Sequence, residues 1–261
     1  MNNETSRSLK LVCLNVWAGM IEKPLMDFLV KSAEDTDIFC LQEVVRRNDG
    51  VGDIYHKISS ALPDFSIYFA PMISDLSRYK LSNITNLNTK DAAIGPAILI
   101  RNDLMIEKNG DLAVFGEYEK IRHIAGQKHE FLAHNIIYAV VAMNGKKYTI
   151  CNLHGLPAWP KTDTPERLKQ SQKIKTFMDA SPSPKILCGD FNISPEAKSM
   201  RILEEGMIDL IKTYNIKTTR LPEADDKFSD YILVSPDIKV KEFSVPQIRI
   251  SDHLPLIMKF R

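Results

Sequence analysis

Hydrophobic positions follow a helical period in some stretches of this chain and form short strand-like runs in the others. Helices are predicted over 24–34, 53–62, 163–179 and 194–206, the third starting at Asp163 and Glu166, which have N-cap and N3 spacing. Strands are predicted at 11–14, 38–41, 65–70, 94–100, 104–107, 112–115, 136–143, 147–152, 185–188, 231–234, 238–245 and 254–260. Strands that alternate with helices in both halves predict an α/β fold.

The size and composition of the chain indicate how many domains it forms and which partners it can bind. With 261 residues, of which 44% are hydrophobic, the chain can bury one large core, and no Gly/Ser-rich or Pro-rich stretch divides it. We therefore predict a flexible N-terminal segment over residues 1–8 and a single domain over 9–261. The formal net charge of +1 excludes a globally basic nucleic-acid binder and leaves room only for a local basic patch.

Two features bear on the cellular compartment. The first ten residues are polar, and the apolar residues that follow are interrupted by Asn15 and Glu22, so neither a secretory segment nor a membrane span is predicted. The cysteines match no zinc signature and are expected to be buried, at Cys13, Cys40, Cys151 and Cys188. The sequence thus predicts a cytoplasmic monomer with no stable membrane association.

Six clusters of acidic, amide and histidine residues lie at the ends of the predicted strands. They read LNVW at 14–17, LQEV at 41–44, NLHG at 152–155, GDFN at 189–192, SDYI at 229–232 and SDHL at 251–254. Strand ends are where an α/β scaffold holds catalytic groups rigidly at one rim. Each cluster alone is a weak signal, since short motifs have a high false-positive rate. Their common position at strand ends predicts one shared site.

In this order the six clusters resemble the endonuclease/exonuclease/phosphatase superfamily, which includes pancreatic-type deoxyribonuclease, tyrosyl-DNA phosphodiesterases, neutral sphingomyelinases and inositol-polyphosphate phosphatases. The resemblance covers nearly the whole chain, from about Leu9 onward. It implies a four-layer α/β sandwich, in which two packed mixed β-sheets are flanked by helices. It also implies a phosphoester hydrolase that depends on Mg²⁺ or Mn²⁺. The substrate varies within the superfamily because varying loops select it.

The resemblance assigns metal-binding roles to three residues. Glu43 is expected to be the principal ligand, Asn15 to place its amide oxygen beside Glu43, and Asp252 to act on the metal side of the site. A lone carboxylate with a neighbouring amide is how proteins often hold Mg²⁺. Taken singly, Glu43 is a glutamate that ends a strand and Asn15 is a turn asparagine.

The resemblance assigns catalytic roles to five further residues. Asp190 is expected to activate the attacking water and Asn192 to contact the phosphate; their two-residue spacing puts both on one side of an extended segment. His253 is expected to face the phosphate while Asp230 fixes its tautomer. His154 is expected to donate to a phosphate oxygen or to the leaving group, where abasic-site endonucleases carry a tyrosine.

Three residues are candidates for substrate binding. Trp159, on a proline-flanked loop, could stack a base, while Arg167 and Lys227 could contact phosphates. Their alternatives are a loop anchor, a solvated helix face and an ordinary surface lysine. We predict a phosphodiesterase whose substrate is nucleic acid. The alternatives are hydrolysis of a small phosphorylated molecule or of a lipid head group such as that of sphingomyelin, and a non-catalytic binding module.

Overall fold

The structure is a computed structural model that describes residues 7–78, 91–120, 122–123, 130–143 and 145–261. Residues 1–6 of the predicted N-terminal segment therefore lie outside the described residues. So do most of residues 74–91, whose polar sequence without a sustained period predicts a long loop, and Asn144, which with Gly145 predicts a hairpin turn. Within the described part, no helix is both long and apolar enough to cross a membrane.

Two six-stranded sheets form the centre of the fold. The strands are β1 (Leu9–Asn15), β2 (Ile38–Arg47), β3 (Phe65–Phe69), β4 (Ala92–Arg101), β5 (Met105–Phe115), β6 (Arg122–His123), β7 (Glu130–Phe131), β8 (His134–Met143), β9 (Lys146–His154), β10 (Lys185–Asp190), β11 (Ile208–Asp209), β12 (Asp230–Val234), β13 (Val240–Ser244) and β14 (Leu256–Phe260). The first sheet has the order β13-β14-β1-β2-β4-β3 and the second β11-β12-β10-β9-β8-β5, while β6 and β7 form a small ribbon. Helices are α1 (Glu22–Ala33), α2 (Ile54–Ala61), α3 (Pro165–Ala180), α4 (Lys198–Glu204) and α5 (Leu210–Thr213). The predicted sandwich of two mixed sheets flanked by helices is confirmed.

Strand β1 shows why the inner strands are continuous apolar runs. Leu11 and Cys13 belong to the core cluster that also contains the second sheet. Val12 and Leu14 belong to the cluster that α1 and α2 complete on the outer face. A strand covered on both faces needs apolar residues at successive positions. All four cysteines are buried and free, as predicted.

In the second half of the chain, two predicted helix starts are wrong by a few residues. Helix α3 is capped by Thr164, whose Oγ1 accepts the N–H of Arg167, because Pro165 occupies the first helical position. Asp163 instead accepts the N–H groups of Lys198 and Ser199 at the start of α4, both at 2.8 Å. Helix α4 therefore begins at Lys198 rather than directly after residue 194.

The sheet topology brings the clusters of polar residues to one rim. Strands β1 and β2 run parallel, as do β9 and β10, so their carboxyl ends lie at the same end of each sheet. Strand β12 is antiparallel to β10 and pairs Asp230 with Asp190, which places its first residue at that rim too. The loop that precedes β14 adds the last cluster.

Candidate active site

Glu43 lies on a β-bulge inside strand β2, not beyond the strand as predicted. The pairing of β2 with β4 shifts register between Leu41 and Val44, and Glu43 has a φ of 55°. A bulge inserts a residue and re-aims the side chains around it. Gln42 consequently points into the interior, where its Nε2 donates to Asn152 Oδ1 at 2.5 Å, and Glu43 faces the rim. The strand then continues to Arg47.

The amide of Asn15 connects two carboxylates that belong to different sheets. Its Nδ2 donates to Glu43 Oε1 at 3.0 Å and to Asp190 Oδ2 at 3.1 Å. The prediction that the amide oxygen lies beside Glu43 is therefore wrong. Oδ1 instead accepts the backbone N–H of Trp17 at 2.9 Å, and this donor fixes the orientation of the amide. Asn15 thus holds the carboxylates close together although they repel each other.

Close packing of two strand ends brings His154 toward Asp190. A Cβ on Gly189 would lie 2.0 Å from the carbonyl oxygen of Leu153, and one on Gly155 would lie 2.3 Å from that of Phe191. Neither position has room for any side chain, so glycine is required at both.

The donor atoms at this rim suit a hard divalent cation. Glu43, His154 and Asp190 each offer one ligand atom, and these atoms lie within 4.8 Å of one another. Asp190, Asp230 and His253 form a second such group, but Asp230 and His253 already bond to each other. The first group retains a partly exposed carboxylate, Glu43, and carboxylate oxygens are preferred ligands of Mg²⁺ and Mn²⁺. Glu43 and Asp190, with His154 beside them, therefore fit the predicted metal.

Asp190 has two partners that the sequence did not reveal. Its Oδ1 accepts the hydroxyl of Ser229 at 2.5 Å, and Lys161 Nζ donates to the same hydroxyl at 2.7 Å. Lys161 is largely buried and also pairs with Asp226. Burial alone would raise the pKa of Asp190, but the charges of His253, Lys161 and His154 outweigh it and hold that pKa below its ordinary value. Asp190 is therefore ionised at neutral pH.

His253 and Asp230 form the buried pair that the sequence predicted. His253 Nδ1 lies 2.9 Å from both carboxylate oxygens of Asp230, and Nε2 lies 3.7 Å from Asp190 Oδ2. Burial lowers the pKa of His253, but the charges of Asp230 and Asp190 outweigh it and raise the pKa to about 9. The Arg220 guanidinium, a second residue absent from the predictions, contacts Nε2 and acts weakly in the opposite direction.

Asp252 lies at the outer edge of the site. Its Oδ2 accepts Arg220 NH2 at 3.0 Å, and its Oδ1 lies 3.9 Å from His253 Nε2. It belongs to neither group of close metal-binding atoms among the described residues. The predicted metal-side role of Asp252 is therefore still a prediction, and its observed partner is an arginine.

Asn192 follows Asp190 in a tight turn. It has a φ of 55°, its backbone N–H donates to Asp190 Oδ1 at 3.0 Å, and its Nδ2 donates to the carbonyl of Gly155 at 3.1 Å. The carboxylate thus fixes the turn that brings Asn192 to the rim. The second Nδ2 hydrogen is the one that could meet a phosphate oxygen.

The three predicted substrate-binding residues have different surroundings. Trp159 is 57% exposed on the loop after His154, with Lys161 Nζ 5.8 Å from the centre of its ring. Lys227 is exposed, whereas the buried Lys161 is the lysine that reaches the catalytic cluster.

Arg167 does not match its prediction as a substrate-binding residue. It is fully buried and donates to the carbonyl oxygens of Leu156, Ala158, Pro160, Thr162 and Asn192. Burial lowers its pKa to about 10. All five acceptors lie on the loops after β9 and β10, so Arg167 holds these loops together and is not available to a substrate.

A two-sheet sandwich with paired carboxylates, histidines and amides at one rim defines a phosphoester hydrolase of the deoxyribonuclease-like fold. The sequence profile of the Endonuclease/Exonuclease/phosphatase family matches residues 13–253, so the chain belongs to that family.

Solved structures with the same fold cover nearly the whole chain. The mannosyl-6-phosphatase Bt3783 of Bacteroides thetaiotaomicron is 20% identical, with a TM-score of 0.68 over 97% of this chain and 100% of that one. The human Nocturnin catalytic domain is 18% identical, with a TM-score of 0.69 over 100% of this chain and 95% of that one. A family protein of Bacteroides vulgatus is 16% identical, with a TM-score of 0.72 over 98% and 99%. At these identities the likeness shows the fold alone. No curated protein is significantly similar in sequence.

Proposed function

We propose that this protein hydrolyses phosphate esters with the help of Mg²⁺ or Mn²⁺, which Glu43 and Asp190, with His154 beside them, would hold. The observation that carries the proposal is the contact of one amide, that of Asn15, with both carboxylates. Two carboxylates held this close repel each other unless a cation lies nearby. A bound cation would supply Lewis-acid stabilisation of the charge that develops on the phosphoryl oxygens.

The chain's own residues supply the remaining functions. Asp190, ionised and fixed by Ser229 and Asn15, can accept a proton from the attacking water. His253, oriented through Nδ1 by Asp230 and contacted at Nε2 by the Arg220 guanidinium, favours negative charge at the rim because its pKa is raised. His154 Nε2, 3.7 Å from Glu43 Oε1, can donate to a phosphoryl or leaving oxygen.

For the substrate we propose a phosphodiester of nucleic acid. The exposed ring of Trp159 supports this proposal, because an aromatic side chain on a rim loop can stack a base. Lys227, exposed on the loop before β12, offers a phosphate contact. The human Nocturnin domain, with the same fold, was solved with a sulfate anion. We further propose a monomer in the cytoplasm, which agrees with four unpaired buried cysteines.

A small phosphorylated molecule is the second candidate, because several of the described cations in this part of the chain have carboxylate partners. Arg220 pairs with Asp252, Lys161 with Asp226 and Arg249 with Glu223. Paired cations give a weaker field for a polyanion than a free basic track does. One protein with the same fold is named a mannosyl-6-phosphatase.

A panel of esters tests these proposals. Purified protein with Mg²⁺ is offered single- and double-stranded DNA, RNA, 5′-tyrosyl DNA, sugar phosphates, inositol phosphates and sphingomyelin. Turnover of an oligonucleotide that exceeds turnover of every small ester supports the first candidate, and the reverse order supports the second. If none of these esters is hydrolysed with either Mg²⁺ or Mn²⁺, the proposed activity is wrong.

A further inference from the structure

A cavity of about 230 Å³ lies at the active-site rim, outside the cluster described above. Its walls come from the loop after β3, the second half of β5 and the first residues of β8. Six of the residues that line it are Met72, Asp111, Ala113, Tyr118, His134 and Asn135.

The topology places this cavity next to His154. Strand β8 is antiparallel to β9 and begins where β9 ends, so His134 lies beside His154 at the rim. The two imidazole rings meet edge to face with centroids 5.1 Å apart, and His134 Nδ1 lies 3.0 Å from the carbonyl oxygen of His154. Because β10, β9, β8 and β5 are neighbours in that order, the cavity is on the side of His154 opposite Asp190. A group bonded to the phosphate beyond His154 would extend into it.

One wall of the cavity carries a buried acceptor without a partner. Asn135 is 6% exposed, and its Oδ1 makes no hydrogen bond within the described part of the chain. Its Nδ2 donates to the carbonyl of Ala70 at 3.2 Å, which fixes the amide orientation and leaves the oxygen as the free atom. This oxygen is closed off from solvent, so the acceptor that a ligand in the cavity can reach is the exposed carboxylate of Asp111.

The other polar groups of the cavity match the same kind of ligand. Asp111 adds an exposed carboxylate, a strong acceptor, and Tyr118 adds a phenolic hydroxyl. Met72 and Ala113 supply apolar surface between them. At ~30 Å³ per water, the volume of about 230 Å³ corresponds to roughly eight waters, which suits one small ring.

We propose that this cavity binds a polyhydroxylated ring carried by the substrate's phosphate, with ring hydroxyls donating to the carboxylate of Asp111. The inference rests on the proposed hydrolysis of phosphate esters and adds the chemical class of the group beside the phosphate. Such a ring could be the ribose of a nucleotide or the ring of a sugar phosphate, which share this chemistry.

The test compares esters that differ in the ring. Wild-type protein and Ala113→Leu, which fills the cavity from its wall, are assayed with Mg²⁺ on a short RNA, on a hexose 6-phosphate and on phenyl phosphate, which has no hydroxyl. Ala180→Leu, the same change at an exposed position far from the rim, is the control. We expect Ala113→Leu to lower kcat/KM at least tenfold for whichever hydroxylated substrate the wild type prefers, and less than twofold for phenyl phosphate.

A second variant tests the hydrogen bonds without changing the volume. Asp111→Asn exchanges one acceptor oxygen for a donor, and kcat/KM for the hydroxylated substrate should fall more than that for its analogue lacking one hydroxyl. Equal effects of both variants on all three esters, or no effect of Ala113→Leu, would overturn the cavity assignment. Absence of wild-type hydrolysis of every ester would instead refute the proposed function, and the inference with it.

Discussion

The amide nitrogen of Asn15 lies 3.1 Å from Oδ2 of Asp190, although 175 positions separate the two residues in sequence. Asn15 ends β1 in the first sheet and Asp190 ends β10 in the second. The bond therefore joins the two sheets across the rim, and Glu43 accepts from the same nitrogen.

Replacement of Asn15 by Asp should destabilise the protein when metal is absent. The change removes a donor shared by two carboxylates and adds a third negative charge, which should cost about 1.5–3 kcal/mol of unfolding free energy. Thermal unfolding in EDTA and in Mn²⁺ measures this, and Mn²⁺ should raise the Tm of Asn15→Asp more than that of the wild type. An unchanged Tm in EDTA would contradict the stabilising role of the two hydrogen bonds from Asn15 Nδ2.

Lys161 and the exposed Lys173 of α3 form a matched pair of variants. Lys161→Met removes the ammonium that holds Ser229 against Asp190, so kcat should fall about 10- to 100-fold, the range typical of residues that orient a catalytic group. Lys173→Met changes an exposed lysine on α3 that has no proposed role in catalysis or substrate binding, and it should leave kcat for a small ester within about twofold. Equal losses in the two variants would contradict the role of Lys161.

The Asp230→Asn variant tests whether Asp230 orients His253 for catalysis or only packs against it. The amide has the same shape as the carboxylate but no charge to hold the imidazole through Nδ1. We expect kcat to fall on the order of 10²-fold or more, with an unchanged circular dichroism spectrum. A wild-type rate in this variant would mean that the pair is structural.

The part of this site that could be predicted from sequence is the part whose residues lie close together along the chain. The strand-end motifs were visible because each is local, and they identified Glu43, Asp190 and the His253–Asp230 pair. The bulge at Glu43 left no signal, because register is set by the partner strand β4. Lys161 and Arg220 reach the site from loops whose path depends on the whole fold.

Arg167 shows the opposite case, in which a visible signal was misread. Its position on a helix after the histidine motif suggested that its side chain reaches toward the substrate. The sequence of a helix does not show which loops fold over it, so the contacts of Arg167 with those loops could not be predicted. The structure surrounds its guanidinium with carbonyl oxygens, which a single charged side chain can satisfy because it carries five N–H donors.

Asp209, away from the site, should make stability depend on pH. Its Oδ1 accepts the N–H groups of Ile211 and Lys212 at the start of α5, and burial raises its pKa from 3.8 to about 6 despite these bonds. Between about pH 4 and pH 6 the folded protein keeps a proton that the unfolded chain has released, so stability falls as pH rises through this window. Relative to Asp209→Asn, which does not titrate, the wild type should lose on the order of 2–3 kcal/mol of unfolding free energy. Urea denaturation at the two ends of the window measures the difference, and a constant difference would contradict the raised pKa.

The metal dependence of hydrolysis tests the central claim most directly. The rate for the best ester of the panel is measured after EDTA treatment and then against rising Mn²⁺, for the wild type, for Glu43→Gln and for Glu22→Gln as a surface control. We predict no hydrolysis in EDTA, full recovery with Mn²⁺ in the wild type and the control, and at least tenfold more Mn²⁺ needed by Glu43→Gln, because it lacks the charged ligand on the bulge. Full activity in EDTA, or identical Mn²⁺ requirements in all three proteins, would contradict metal-dependent hydrolysis at Glu43.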